Sequence, residues 1–245
     1  MMSIESLAQH ITALLAALAD PVRAAPMSAY MRHRFAYLGI PTPLRRQALR
    51  PILKILKAAT ADELLDLARL LWASPHRECQ YAAIDILARH WKTLRGADVA
   101  TVLALVSDKS WWDTVDALAG VIGDLIRRER TLQESMDAEL HSPDLWRRRV
   151  AMIHQLGWRA DTDTNRLFSY ARQLAPEREF FIRKAIGWAL RDYAWHDPEA
   201  IRRFLHENGA QLSPLSKREA GKNLGAAESL AIPDARPALC QNPSP

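Results

Sequence analysis

The residues best equipped for chemistry lie in the stretch DKSWWDTVDALAG (108–120), where two adjacent tryptophans are followed by two carboxylates. Trp112 and Asp116 are four residues apart and share one helix face, whereas Trp111 and Asp113 point elsewhere. An indole beside a carboxylate suits a cation, because the ring face attracts positive charge and the carboxylate neutralises it. The competing reading is structural: Trp112 packs between helices, and Asp116 is solvated or pairs with an arginine. Trp188 in FFIRKAIGWALRDYAW (180–195) carries the same ambiguity, since an aromatic within a helical stripe is usually core. Positive charge gathers in Trp146-Arg147-Arg148-Arg149, in Arg45-Arg46 and in Lys217-Arg218. Such clusters at helix starts suit a phosphate backbone, with helix N-termini adding donors, or simply form a solvated basic face.

Other chemistries find no support. The 8 histidines form no HExxH and no spaced Cys/His cluster, and 2 cysteines exclude a disulfide framework or a cysteine zinc site. There is no glycine-rich phosphate loop, no G-x-S-x-G elbow, and no acidic pair with calcium-loop spacing. Neither a metal nor a nucleotide cofactor is expected. The formal net charge of +5 is compatible with nucleic acid without requiring it. The longest early apolar run, Ile11 to Ala19, is too short to span a bilayer, and no basic n-region precedes it. The expectation is a soluble, cytoplasmic protein with no membrane partner. Cys79 reads as a buried thiol.

The elements that must position these residues are helices. DELLDLARLLW (62–72), REFFIRKAIGWALRDYAW (178–195) and the first twenty residues repeat apolar positions at i, i+3, i+4 and i+7. Thr42-Pro43, Ser74-Pro75, Ser142-Pro143, Ala175-Pro176 and Ser213-Pro214 read as helix starts, a small residue preceding proline at the first helical position. Pro75, Asp108, Pro143 and Pro176 recur at separations of 33, 35 and 33 residues, and Ala82, Val115, Val150 and Ala185 follow at 33, 35 and 35. This predicts an all-α solenoid of two-helix repeats, each roughly 34 to 40 residues long, with a concave face. Counted from those starts, Trp112, Asp116 and Trp188 fall at offsets of 4, 8 and 12, nearly one face of equivalent helices. The same count favours Arg147 over Arg149 for that face. Residues 1–225 are expected to form one domain and residues 226–245 a poorly ordered tail.

Six ordered segments then resemble one family, the AlkD-type DNA alkylation-repair glycosylases built from HEAT-like repeats. They are PMSAYMRHRFAYLGIPTPLRRQ (26–47), LWASPHRECQYAAIDIL (71–87), KSWWDTVD (109–116), LWRRRVAMIHQL (145–156), EFFIRKAIGWALRDYA (179–194) and PLSKREAGKNL (214–224). The resemblance implies roles residue by residue. Trp112 and Trp188 become aromatic walls of a lesion site, Asp116 the catalytic carboxylate, and Arg149 a DNA contact near the lesion. Arg148, Arg45, Arg46, Lys217 and Arg218 are the further DNA-binding candidates.

The implied activity is excision of cationic N3- or N7-alkylated purines from duplex DNA by a monomer, without flipping the base into a pocket. A carboxylate would stabilise the oxocarbenium-like sugar, as in glycoside hydrolysis. Such a carboxylate, if open to water, should tolerate replacement by an amide. The rival is a non-catalytic helical scaffold that binds duplex DNA or a protein. A scaffold has no need of a carboxylate between two indoles.

Overall fold

The computed structural model describes residues 3–225, and among them every regular element is helical. Thirteen α-helices run in order: α1 (Ile4–Ala16), α2 (Pro21–Tyr30), α3 (Thr42–Ile55), α4 (Ala61–Ala73), α5 (Arg77–Arg89), α6 (Val99–Ser107) and α7 (Trp112–Arg128). Then follow α8 (Gln133–Glu139), α9 (Leu145–Ile153), α10 (Thr164–Leu174), α11 (Phe180–Ala194), α12 (Pro198–Asn208) and α13 (Pro214–Gly221). A single parallel bridge, Ala36 to His76, is the only β-type pairing among the described residues. The contacts group into two compact units, one up to Leu105 and one from Val106 onward, within the stretch expected as one domain. The expected tail, 226–245, lies outside the described residues.

In the first unit α1 packs on α3, α4 and α5, and α4 pairs with α5. Thr60 and Glu63 close a capping box at the start of α4. Glu78, fully buried in the first turn of α5, accepts backbone N–H bonds from Leu38, Gly39 and Ile40 at 2.9, 2.8 and 3.1 Å. Those donors belong to an extended segment that would otherwise bury them unpaired. Cys79 is buried, as its apolar setting predicts.

The second unit carries a row in which α7 packs on α9, α9 on α11, and α11 on α13. Val115, Val150 and Ala185, the positions that recur in the sequence, are each 0% exposed on successive members of this row, as is Ala82 on α5. Leu118, Ile122, Leu125 and Ile126 of α7 are also sealed, each such side chain contributing about 1.5–3 kcal/mol. Close approach needs glycine at two points. A Cβ on Gly123 would lie 2.0 Å from the His154 carbonyl, and one on Gly187 would lie 2.4 Å from Glu219 Cβ.

The starts differ in detail from the proline expectation. Of the five expected pairs, Ser213-Pro214 alone has the cap-then-proline form; at α3 the cap position is Pro41, and Thr42 is already helical. α5, α9 and α11 begin at Arg77, Leu145 and Phe180, beyond Pro75, Pro143 and Pro176. Asp144 supplies the cap for α9 through the Trp146 N–H at 2.9 Å. Asp20-Pro21 and Asp197-Pro198, whose aspartates cap α2 and α12, follow the same rule with a carboxylate in place of a hydroxyl.

His154 closes α9 and is buried, with Nδ1 2.7 Å from the Ala151 carbonyl and Nε2 2.9 Å from Gln133 Nε2. An acceptor at Nδ1 and a donor at Nε2 select the neutral ring protonated on Nδ1. Burial drives its pKa down to about 4, against smaller upward pulls from the Ala151 carbonyl and Asp137. The unfolded ring takes up a proton near pH 6.5 and the folded one does not. This contribution is therefore complete above pH 6.5 and is lost as pH falls towards 4. Between pH 7 and 5 the loss from this residue should be about 2 kcal/mol. Urea unfolding of the wild type and His154→Gln at both pH values checks this: the wild type should lose more stability on acidification than the variant.

Candidate active site

Asp116 sits in the second turn of α7, and Arg149 in the second turn of α9. Because α7 and α9 are neighbours in the row, the two side chains meet head on. Arg149 donates from Nε to Asp116 Oδ1 and from Nη2 to Oδ2, both at 2.7 Å. Both side chains are 1% exposed. The third nitrogen, Nη1, donates to the Phe181 carbonyl on α11, so the guanidinium ties three helices together. The fork matches the carboxylate in both geometry and charge, and such bonds are about twice as strong as neutral ones. Burial pushes the Asp116 carboxyl above its ordinary value; Arg149 opposes this and Asp113 adds to it. The two short bonds from Arg149 are what favours the charged carboxylate against that burial.

The Arg149 Cζ lies 5.3 Å from the centre of the Trp188 ring, within cation–π range. Arg149 thus brings Asp116 and Trp188, predicted site residues on different helices, into one cluster. Trp112 opens α7 one turn before Asp116, and both Trp112 and Trp188 are half-buried. Trp111 does point elsewhere. It is buried in an aromatic cluster with Trp146 and Phe181, at centroid separations of 5.7 and 5.0 Å, while Trp146 and Phe181 are 4.9 Å apart. Aromatic contacts of this kind, edge-on for the two Trp111 pairs, add about 0.5–1.5 kcal/mol per pair beyond burial, and they set the start of α7 against α9 and α11. Arg147, favoured by the offset count, instead bonds to Ser107 Oγ and Glu139, at 2.8 and 3.1 Å. The count treated successive helices as parallel copies and could not include their twist.

Several expectations change here. The carboxylate is not open to water: Asp116 is sealed and paired. Of the arginines expected on DNA, Arg149 is turned onto Asp116 and the Phe181 carbonyl. Arg148 holds Glu177 through two bonds, at 2.6 and 3.0 Å, and donates to the Ser142 and Pro143 carbonyls. Arg45 is buried against Asp85 at 3.0 Å and over the Tyr81 ring at 4.9 Å. The reason is common to all three: a buried or half-buried guanidinium must find acceptors, and carboxylates and carbonyls nearby supply them. Arg46 shares Asp85 but stays 65% exposed, and Lys217 and Arg218 are exposed on α13.

Sequence reasoning missed Glu219. It is buried on α13 and accepts from Lys184 and Arg191 of α11 and from Lys222, at 3.1, 3.1 and 2.8 Å. An acidic residue inside the basic stretch SKREAGK was the available signal. The residues Asp137, Asp163, Arg166 and Tyr170 also line a cavity of about 430 Å³, to which no predicted site residue contributes. Among the described residues, no group of three or more His, Cys, Asp or Glu could hold a metal ion.

Residues 11–224 match the DNA alkylation repair enzyme family. The chain belongs to that family. A protein from Enterococcus faecalis, described as a predicted DNA alkylation repair enzyme, is similar in structure, with a TM-score of 0.80 and 32% identity over 86% of this chain and 98% of its own. A second structure, smu.31 from Streptococcus mutans UA159, shares the fold at a TM-score of 0.61 and 17% identity, over 89% of this chain and 98% of its own. No curated protein matches. Membership in a DNA alkylation repair enzyme family supports an enzyme acting on DNA, and no helix among the described residues is long and apolar enough to cross a membrane.

In this DNA alkylation repair enzyme the buried pair should behave as a unit. Asp116→Ala or Arg149→Ala leaves a charge unpaired in the interior and should each cost about 3–5 kcal/mol. The double variant should cost clearly less than the sum. Urea unfolding of all four proteins tests this, and additivity would mean that the two charges are not coupled.

Proposed function

We propose that this DNA alkylation repair enzyme is a glycosylase that removes cationic N3- or N7-alkylated purines from duplex DNA by hydrolysing the N-glycosidic bond. Alkylation at these positions leaves positive charge on the base and weakens its bond to the sugar. The C1′–N bond breaks with its electron pair going to the base, the base leaves neutral, and water adds to C1′ of the oxocarbenium-like sugar and gives up a proton to solvent, leaving an abasic site. A fixed negative charge beside that sugar lowers the barrier most in a dry setting. The single observation that carries the reading is the sealed Asp116 carboxylate, oriented by Arg149, whose guanidinium also stands against Trp188.

In this reading, bound DNA parts the side chains over the pair, and the charge on the lesion nucleotide takes over part of the role of Arg149. Trp112 and Trp188 hold the nucleotide by stacking and cation–π contact. A cationic leaving base needs no strong general acid and no metal. The base is not drawn into an enclosed pocket, and the protein acts as a monomer in the cytoplasm.

One observation favours the second reading, a non-catalytic scaffold: a carboxylate closed off by arginine is also what a purely structural Asp116 would form. Incubation with duplex DNA containing N7-methylguanine separates the two. The wild type should release free base, and Asp116→Asn should release it about 100-fold more slowly or worse. Trp112→Ala and Trp188→Ala should slow release while leaving affinity for undamaged duplex nearly unchanged. Near-wild-type release by Asp116→Asn would place the chemistry elsewhere, and absence of release by the wild type would favour the scaffold.

Non-specific duplex binding rests on exposed cations. Replacing Lys217 and Arg218 with Ala should weaken binding to all sequences alike. It should also flatten the plot of log affinity against log salt by roughly 1 to 2. Arg45→Ala should instead lower stability through the unpaired Asp85, with little effect on the salt slope.

A further inference from the structure

We infer that Glu219 is a positioning residue for the Trp188 wall, acting by holding Lys184 and offsetting its charge; this rests on the glycosylase reading above. The ring of Trp188 has two cations near it: Arg149, whose Cζ is 5.3 Å from the centroid and whose charge is matched by Asp116, and Lys184, whose Nζ is at 5.7 Å. Lys184 lies one turn before Trp188 on α11 and so shares its face. An unmatched ammonium within 6 Å of that indole would repel the positively charged nucleotide that the indole is meant to hold, and would compete with it for the ring.

Glu219 offsets that charge, although Lys184 shares the carboxylate with Lys222 and Arg191. Its Oε1 accepts from Lys184 and from Lys222, and its Oε2 from Arg191. Burial disfavours the charged carboxylate, yet the bonds from Lys222 and Lys184 hold it below its ordinary range, so it stays ionised across neutral pH. Its hold on α11 is also steric, since Gly187, the residue before Trp188, leaves room for Glu219 Cβ where any side chain would collide. Lys184 and Arg191 bracket Trp188 in sequence, so one carboxylate grips the helix on both sides of the indole. Trp188 is thereby offered as a fixed wall beside a lysine held on a carboxylate rather than beside a bare cation.

The test uses the full chain and duplex DNA containing one N7-methylguanine, with single-turnover base release and affinity for undamaged duplex measured in parallel. Glu219→Gln should slow release about 10-fold, while affinity for undamaged duplex holds or rises because a negative charge has gone. Adding Lys184→Met to that variant should bring release back to within about 3-fold of wild type. Lys184→Met alone should release base at least as fast as wild type. Removing a stranded lysine can also restore stability, so urea unfolding of the same variants is measured beside release; release that only tracks stability overturns the proposal. Wild-type release by folded Glu219→Gln, or failure of Lys184→Met to restore it, overturns the proposal.

A second readout does not depend on activity. The Trp188 emission spectrum is obtained by subtracting Trp188→Phe from its parent, with and without Glu219→Gln. The spectrum should shift when Glu219 is lost and return when Lys184→Met is added; an unchanged spectrum overturns the proposal. Absence of release by the wild type, with the spectrum shifting as expected, would remove the glycosylase reading and leave the role of Glu219 beside Trp188 standing.

Discussion

The second unit is organised around one ion pair. Asp116 and Arg149 are removed from water together, a step that costs several kcal/mol per ion and is recovered only when geometry is good and the remaining donors are satisfied. Both conditions hold: the fork is bidentate at 2.7 Å, and the third nitrogen reaches the Phe181 carbonyl. Neither helix can rotate or slide without stranding a charge, so the pair fixes the register of α7, α9 and α11. The close contacts at Gly123 and Gly187 serve the same end, because backbone approaches of this kind allow no slack in the row.

The balance of charge around the indoles follows from that arrangement. Arg149 is paired with Asp116, Arg148 with Glu177, and Lys184 with Glu219, which Arg191 and Lys222 share, each partner brought alongside by packing. A chain with a net charge of +5 therefore ties the cations nearest Trp188 to carboxylates while leaving others exposed on α13. For a site that would receive a cationic nucleotide within polyanionic DNA, the two demands are opposite in sign, and separating them in space meets both.

Rigidity at the pair also bears on the choice between enzyme and scaffold. A carboxylate sealed with arginine is poised rather than reactive, and its use in chemistry needs a ligand that competes with Arg149 for it. On the proposed reading a cationic base with its sugar would be such a ligand, whereas undamaged DNA would not. Discrimination would then arise from competition for one carboxylate rather than from a pocket shaped to the base.

Much was legible in the residues alone. Apolar spacing and recurrence determined the helices, the row of equivalent positions at Val115, Val150 and Ala185, and the shared face of Trp112 and Asp116, since these follow from 3.6 residues per turn. The departure of Trp111 from that face was equally local. What the helical period could not decide was the partner of each charge. Whether Arg147, Arg148 or Arg149 meets Asp116 depends on the twist between α7 and α9, and a shift of one position turns a side chain by about 100°. Local pattern also placed Arg45 and Asp116 at helix starts without saying that neighbouring helices would close over them. Glu219 escaped notice because its importance lies entirely in what packs against it. A buried ion pair joins residues distant in the chain, and only the packed structure brings their charges together.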